Sequence, residues 1–153
     1  MRILFVFFVF GICLSLRAGA QTTDEKAKVE SAVRNYVDAF YYGDTAKVFS
    51  SISPNLIKHG YFHPKGSTSY AADTMSFQQC IAYAAKVQKR GASANVEKFP
   101  KKIEVFDVQD KTAVAKLTAW WGTDYLLLTK TDDRWLITHV LWQSPPAKAA
   151  ITN

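Results

Sequence analysis

Apolar positions along this chain change period twice. Residues 3–16 are almost wholly apolar, with Phe5-Val6-Phe7-Phe8-Val9 inside the run. After residue 22 the apolar positions fall at helical spacing, and from Lys101 onward they alternate with polar ones. The first helical block carries Val29, Ala32, Val33, Tyr36, Val37 and Phe40. Thr22 and Glu25 are spaced as a capping box at its start, and Gly43 closes it. Asp44 caps a second, short helix carrying Ala46, Val48, Phe49 and Ile52, which Pro54 stops. Residues 55–64 read as extended and 66–74 as a polar loop. Ser76 caps a third helix, with Gln79 three residues on, an apolar face of Phe77, Cys80, Ile81, Ala84 and Val87, and Gly91 at its end. Four strands follow at about 101–109, 112–121, 124–131 and 134–142, and such short connections make consecutive strands antiparallel. The pattern predicts an α+β domain.

Two-residue turns at Gly122-Thr123 and Asp132-Asp133 would assign the sheet faces. One face then carries Ala113, Ala115, Leu117, Ala119, Trp121, Asp124, Leu126, Leu128, Ile137, His139 and Leu141, apolar enough to take the helices. Asp124 and His139 fall on it as diagonal neighbours. The opposite face gathers Trp120, Tyr125, Leu127, Val140 and Trp142. Exposed in a monomer, such a patch would be unusual, so a homodimer through this face is expected.

The apolar start has a compartment reading. Met1-Arg2 is a short positive lead, and Ala18-Gly19-Ala20 gives the small-x-small pattern at which a signal peptide is cleaved, here before Gln21. The run is shorter than the roughly twenty residues a spanning helix needs. Residues 1–20 are therefore expected to be removed on export to the periplasm or the outside, leaving no stable membrane insertion. The domain would occupy 21–143, and 144–153, with Pro145-Pro146, would form a flexible tail. Of the 19 Lys and Arg against 13 Asp and Glu, Arg2 and Arg17 go with the signal. The remaining basicity is modest, with no Gly-rich phosphate loop and no Arg-rich stripe, so nucleic acid is not an expected partner. Cys80 is then alone and forms no internal disulfide. Its place on an apolar helix face marks it as a core thiol.

The order helix, helix, strand, helix and four antiparallel strands resembles the nuclear transport factor 2-like (cystatin-like) cone. The residues that carry the likeness include Val37-Asp38-Ala39-Phe40-Tyr41-Tyr42-Gly43-Asp44, Ser53-Pro54-Asn55-Leu56-Ile57-Lys58 and Met75-Ser76-Phe77-Gln78-Gln79. Further along are Ala113-Val114-Ala115-Lys116 through Trp121, Asp124-Tyr125, Arg134-Trp135-Leu136-Ile137 and Val140-Leu141-Trp142-Gln143. They span about 24–143 and are most similar to the bacterial subgroup labelled putative lumazine-binding. The resemblance implies three N-terminal helices packed on a curved, mainly antiparallel sheet, with a pocket at the wide end. The superfamily includes ketosteroid isomerase, scytalone dehydratase and polyketide cyclases beside members that only bind partners, and fold alone does not choose among these.

Candidate chemistry is sparse. His59 and His63 have H-x-x-x-H spacing, but Gly60 and Pro64 oppose a helix. In a strand the two lie about 13 Å apart, too far for one ion, so no metal is expected. His59, Tyr61 and His63 would share one face of the extended segment and line the pocket mouth. Trp121 and Leu126 would contribute the apolar wall. A small apolar or aromatic molecule held without cofactor is the expected ligand. The catalytic alternative is isomerisation or dehydration beside a carbonyl. In it His139 acts as general base, oriented by Asp124, and Tyr36 donates to an oxyanion. The third alternative is a structural or protein-interaction module.

Overall fold

The computed structural model describes residues 3–146, with side chains described for 23–146. The side chains of the expected signal segment, and tail residues 147–153, lie outside the described residues. Helix α1 runs through Ile3–Tyr42, α2 through Thr45–Ser51 and α3 through Phe77–Arg90, and Val96–Lys98 forms one 3-10 turn. The strands are β1 (Ile52–Phe62), β2 (Ala71–Thr74), β3 (Lys102–Val108), β4 (Thr112–Ala119), β5 (Gly122–Thr131) and β6 (Arg134–Gln143). They form one six-stranded sheet in the order β2-β1-β6-β5-β4-β3. The β1–β6 pair is parallel and every other pair antiparallel. The expected α+β architecture, helices on a mainly antiparallel sheet, is the one observed.

Helical periodicity located the buried stripe of α1. Val29, Ala32, Val33, Tyr36, Val37 and Phe40 are all buried against the sheet. The helix does not start at Thr22, because α1 is continuous through that position. Glu25 has other partners: its carboxylate accepts from Lys130 Nζ at 2.9 Å and from the Trp135 indole at 2.8 Å. This clasp ties α1 to the hairpin of β5 and β6. The Asp44 cap forms, accepting from the N–H groups of Ala46 and Lys47, and so does the Ser76–Gln79 capping box. Residues 71–74, expected as loop, pair with 59–62 as the edge strand β2. Pro54 lies within β1 rather than closing α2. It sits in the irregular stretch between the Ile52–Ile137 and Ile57–His139 pairs, where a missing N–H costs no ladder bond.

Two departures from the expected register decide the site. The β4–β5 turn is Trp120-Trp121, with Ala119 opposite Gly122 and Leu117 opposite Asp124. This moves the pairing by an even number of positions, so the inner face of β4 and β5 is as expected. Ala113, Ala115, Leu117, Asp124, Leu126 and Leu128 are all buried. Gly122 is not a turn residue because β5 begins tight against β6: a Cβ there would lie 2.0 Å from the Gln143 carbonyl oxygen. The second departure changes faces. The turn at Asp132-Asp133 forms as expected, with both residues at positive φ, and Leu128 pairs with Ile137. Leu127 then pairs with His139, so Thr138 is an extra residue, a β-bulge. Beyond it β6 is turned over. Val140 and Trp142 face inward, whereas His139 and Leu141 face outward.

The Glu25 clasp makes a pH prediction. Lys130 first, then Trp135 and Lys28, hold the Glu25 carboxyl down from the ordinary 4.5 to about 2. A lowered folded-state value stabilises the protein above the unfolded value, and that stability is lost as pH falls through the folded one. Glu25→Gln should therefore lower the thermal midpoint above about pH 4.5, with the difference from wild type shrinking toward pH 2. A difference that stays constant across that window would show that the clasp carries no charge-dependent stability.

Candidate functional site

Four side chains from four parts of the chain meet under the sheet. Tyr36 lies on the buried stripe of α1, Lys58 on the inward side of β1, Asp124 near the start of β5 and Trp121 in the β4–β5 turn. Tyr36 donates its hydroxyl proton to Asp124 Oδ2 at 2.7 Å. Lys58 Nζ donates to the same Tyr36 oxygen at 2.5 Å and lies 3.7 Å from Asp124 Oδ2. The Trp121 indole N–H donates to Asp124 Oδ1 at 2.8 Å. Asp124 is fully buried, and so is Tyr36. Burial first, then the Asp124 charge, pushes the Tyr36 hydroxyl well above the usual phenol range, so it stays a donor.

Aromatic rings enclose the lysine. Its Nζ lies 5.2 Å from the ring centre of Tyr36, 5.6 Å from Phe40 and 5.7 Å from Trp142, so π faces supplement the ion pair. Trp121 packs edge-on against Tyr36, Phe40 and Tyr41. Tyr41 fixes the backbone of the same turn: its hydroxyl accepts from the Trp120 N–H at 3.0 Å and donates to the Pro100 carbonyl at 2.7 Å. Those contacts hold the turn at two tryptophans, although glycine would be the usual turn residue.

Above this network opens a cavity of about 180 Å³ lined by Phe40, Lys58, Asp73, Met75, Tyr83, Trp120, Trp121 and Trp142. Across the sheet, Asp73, Gly60 and Trp142 form one row. Gly60 is required there, since a Cβ would sit 2.3 Å from the Trp142 indole that lies against it. The buried Trp142 Nε1 has no hydrogen-bond partner among the described residues. Lys58 brings the cation, Asp73 a carboxylate at the exposed rim, and the rings most of the wall.

The structure separates the residues expected from sequence. Trp121 lines the cavity, and Asp124 and Tyr36 form its floor network. Leu126 is buried core beneath the sheet rather than cavity wall. His139 is exposed on the outer face, so the Asp124–His139 pair does not form. The bulge at Thr138 is the reason. His59 and Tyr61 share a face, with ring centres 5.2 Å apart, but it is the alternate residues Lys58 and Gly60 that are buried. His63 stacks on Tyr70 at 3.9 Å, away from the cavity lining. Val140 is buried, and Trp142, expected on the outer face, lines the cavity. Lys58 had no usable sequence signal, because a lone lysine in a strand reads as solvated. Cys80 is buried, and burial pushes its thiol up to about 11, as suits an inert core residue.

Removing the bridging hydroxyl tests the network. Tyr36→Phe leaves Lys58 and Asp124 Oδ2 each one partner short, which should cost about 1–3 kcal/mol. Urea unfolding should show a lower midpoint at unchanged slope, and an unchanged midpoint would mean that the hydroxyl carries none of this load.

Residues 24–143 match the family described as "Putative lumazine-binding". An NTF-2 like protein of unknown function from Silicibacter pomeroyi superposes with a TM-score of 0.59 at 19% identity, covering 81% of this chain and 98% of that one. An NTF2-like protein with a cystatin-like fold from Novosphingobium aromaticivorans gives 0.57 at 12% identity, covering 88% and 91%. A domain of unknown function with a cystatin-like fold from Nostoc punctiforme gives 0.53 at 14% identity, covering 83% and 81%. At these identities the likeness concerns the fold. A comparison with curated proteins gave no match. With its matched segment running from α1 to β6 and its fold like that of these NTF2-like, cystatin-like neighbours, the chain belongs to the family described as "Putative lumazine-binding".

Proposed function

We propose that this domain is an exported, noncatalytic receptor for a small flat aromatic molecule. The observation that carries the reading is the cavity itself, walled by Phe40, Tyr83, Trp120, Trp121 and Trp142 with one buried polar cluster at its floor. Few polar groups among apolar walls are the usual composition of a small-molecule site. The family's description, which names a flat heteroaromatic, agrees with such walls. Accounting for the floor's protons favours binding over the acid–base alternative. Asp124 is fully buried beneath Tyr36 and Trp121, which bond its two oxygens, and it does not line the cavity, so a ligand's proton is out of its reach. The Tyr36 proton points at Asp124, and His139 lies on the other face of the sheet.

The outer face suits a second copy of the chain. Two adjacent cross-strand rows run over it, Ile57–His139–Leu127–Val114 and His59–Leu141–Tyr125–Lys116. Ile57 is 60% exposed, Tyr125 and Leu141 53% and Leu127 47%. Two such faces related by a two-fold axis would cover each other's apolar rows. Export rests on the apolar run that ends at Ala18-Gly19-Ala20.

One native mass spectrum of protein purified from its own host reads all three parts. The expected species is a dimer of chains beginning at Gln21, carrying a small molecule that unfolding releases. Leu127→Glu should yield folded monomer. Retention of Met1 in the membrane fraction would refute export, and a wild-type monomer at high micromolar concentration would refute the dimer. An empty spectrum, together with no thermal shift from a panel of one- and two-ring aromatics, would refute the receptor.

A further inference from the structure

The receptor reading leaves open which charge a ligand carries, and the cavity's own charges bear on its sign. Two charged side chains line the cavity, Lys58 and Asp73. Lys58 is already matched: Nζ lies 3.7 Å from Asp124 Oδ2 and donates to the Tyr36 hydroxyl at 2.5 Å. Asp73 is not. Its carboxylate has no hydrogen bond or ion pair among the described residues. The floor is therefore balanced before any ligand enters, and the uncompensated charge is the negative one at the exposed rim.

Sheet geometry turns that charge toward the cavity. Asp73, Gly60, Trp142 and Asp124 occupy one cross-strand row, on the face that holds buried Asp124. Gly60 puts no side chain between Asp73 and Trp142, and the indole lies over it. A carboxylate and an aromatic ring thus stand side by side on the wall. Half-exposed Trp120 lines the cavity as well, with the Trp121 ring at 84° to it. The face of an aromatic ring is the negative side of its quadrupole, so such a rim attracts a cation and repels an anion. The same walls already receive one cation: Lys58 Nζ lies 5.6 Å from the ring centre of Phe40 and 5.7 Å from that of Trp142.

Lys58 also limits where a second cation can sit. It leaves β1 two residues from Gly60, about 7 Å along the strand, and its Nζ reaches in to Tyr36 on α1. A cationic group at the floor would meet it, whereas one held at Asp73 stays at the mouth.

Building on the receptor reading, we propose that the rim is an ammonium subsite: the ligand is an aryl-alkylamine whose protonated amine pairs with Asp73 against the Trp142 and Trp120 rings. Its aromatic end then points inward, between Phe40, Tyr83 and Trp121. A rim ion pair and a cation–π contact are each modest. Together they make a cationic probe bind about tenfold more tightly than a neutral one of the same shape.

Isothermal titration of the exported protein at neutral pH tests this with 2-phenylethylamine, 2-phenylethanol and phenylacetate, which carry a positive, a neutral and a negative group on similar skeletons. The amine should bind about tenfold more tightly than the alcohol at low salt, and phenylacetate most weakly. In about 1 M salt, where the Debye length is about 3 Å, the preference for the amine should narrow. Asp73→Asn, a change at an exposed position, should bring the amine to the affinity of the alcohol and leave the alcohol unchanged. Equal binding of amine and alcohol to the wild type would overturn the ammonium subsite while leaving the receptor intact. Phenylacetate as the tightest probe would overturn the charge argument, and a preference undiminished in Asp73→Asn would overturn the role of that carboxylate. A ligand in the native spectrum without a basic nitrogen would overturn the amine but not the receptor. Failure of all three probes would overturn this inference, and with an empty native spectrum the receptor reading too.

Discussion

A buried lysine and a buried aspartate, bridged by a phenol, join α1, β1 and β5 at one point. Two charges taken out of water destabilise a fold unless hydrogen bonds replace what hydration supplied. Here Tyr36 serves both ions at once, donating to Asp124 and accepting from Lys58, and Trp121 takes the remaining Asp124 oxygen. The arrangement is satisfied only when the helix, the strand and the turn are all in place. An apolar cluster could pack in several ways at that point, whereas these donors and acceptors match in one. The same network shapes the cavity floor, since Lys58 and Trp121 also line the cavity.

The bulge at Thr138 does for the sheet what the ion pair does for the floor. Without an extra residue, β6 would present Leu141 and His139 inward and Trp142 outward. With it, Trp142 becomes a cavity wall against Gly60, and His139 joins the outer rows. Thr138 Oγ1 donates to the Leu127 carbonyl at 3.2 Å, beside the irregular step. One inserted residue thus furnishes both surfaces, aromatic within and aliphatic without.

These surfaces have different energetic characters. The inner site is held rigid by ring contacts and by the Tyr41 hydroxyl that grips the Trp120 backbone, which limits the ordering cost of seating a ligand. The outer rows hold half-exposed Tyr125, Leu127 and Leu141 with a lysine and two histidines at intervals. That mixture suits association with a second sheet more than it suits a pocket. A clasp of Glu25 with Lys130 and Trp135 holds α1 to the β5–β6 hairpin.

How much of this was legible follows from the range of each interaction. The buried stripe from Val29 to Phe40, the caps at Asp44 and Ser76, and the turn at Asp132-Asp133 are written in residues a few positions apart, and local periodicity and side-chain–backbone bonds fix them. The inner face of β4 and β5 was legible for a related reason: an even shift of register leaves every side chain on its own face. The tryptophan turn was not, because Tyr36, Phe40 and Tyr41, about eighty residues away, hold it. Nor was the bulge, where one unpaired threonine inverts the rest of β6 and no composition marks it. Lys58 carries no local mark of burial, and only the fold sets Asp124 and Tyr36 beside it. The sequence by itself determined the three helices, the strands β3 to β6 and the family, which depend on near neighbours and on period, but not the edge strand β2, which is made by pairing with β1. Only the tertiary structure decided which polar groups share the cavity floor, because a buried charge is tolerated only where distant partners converge on it.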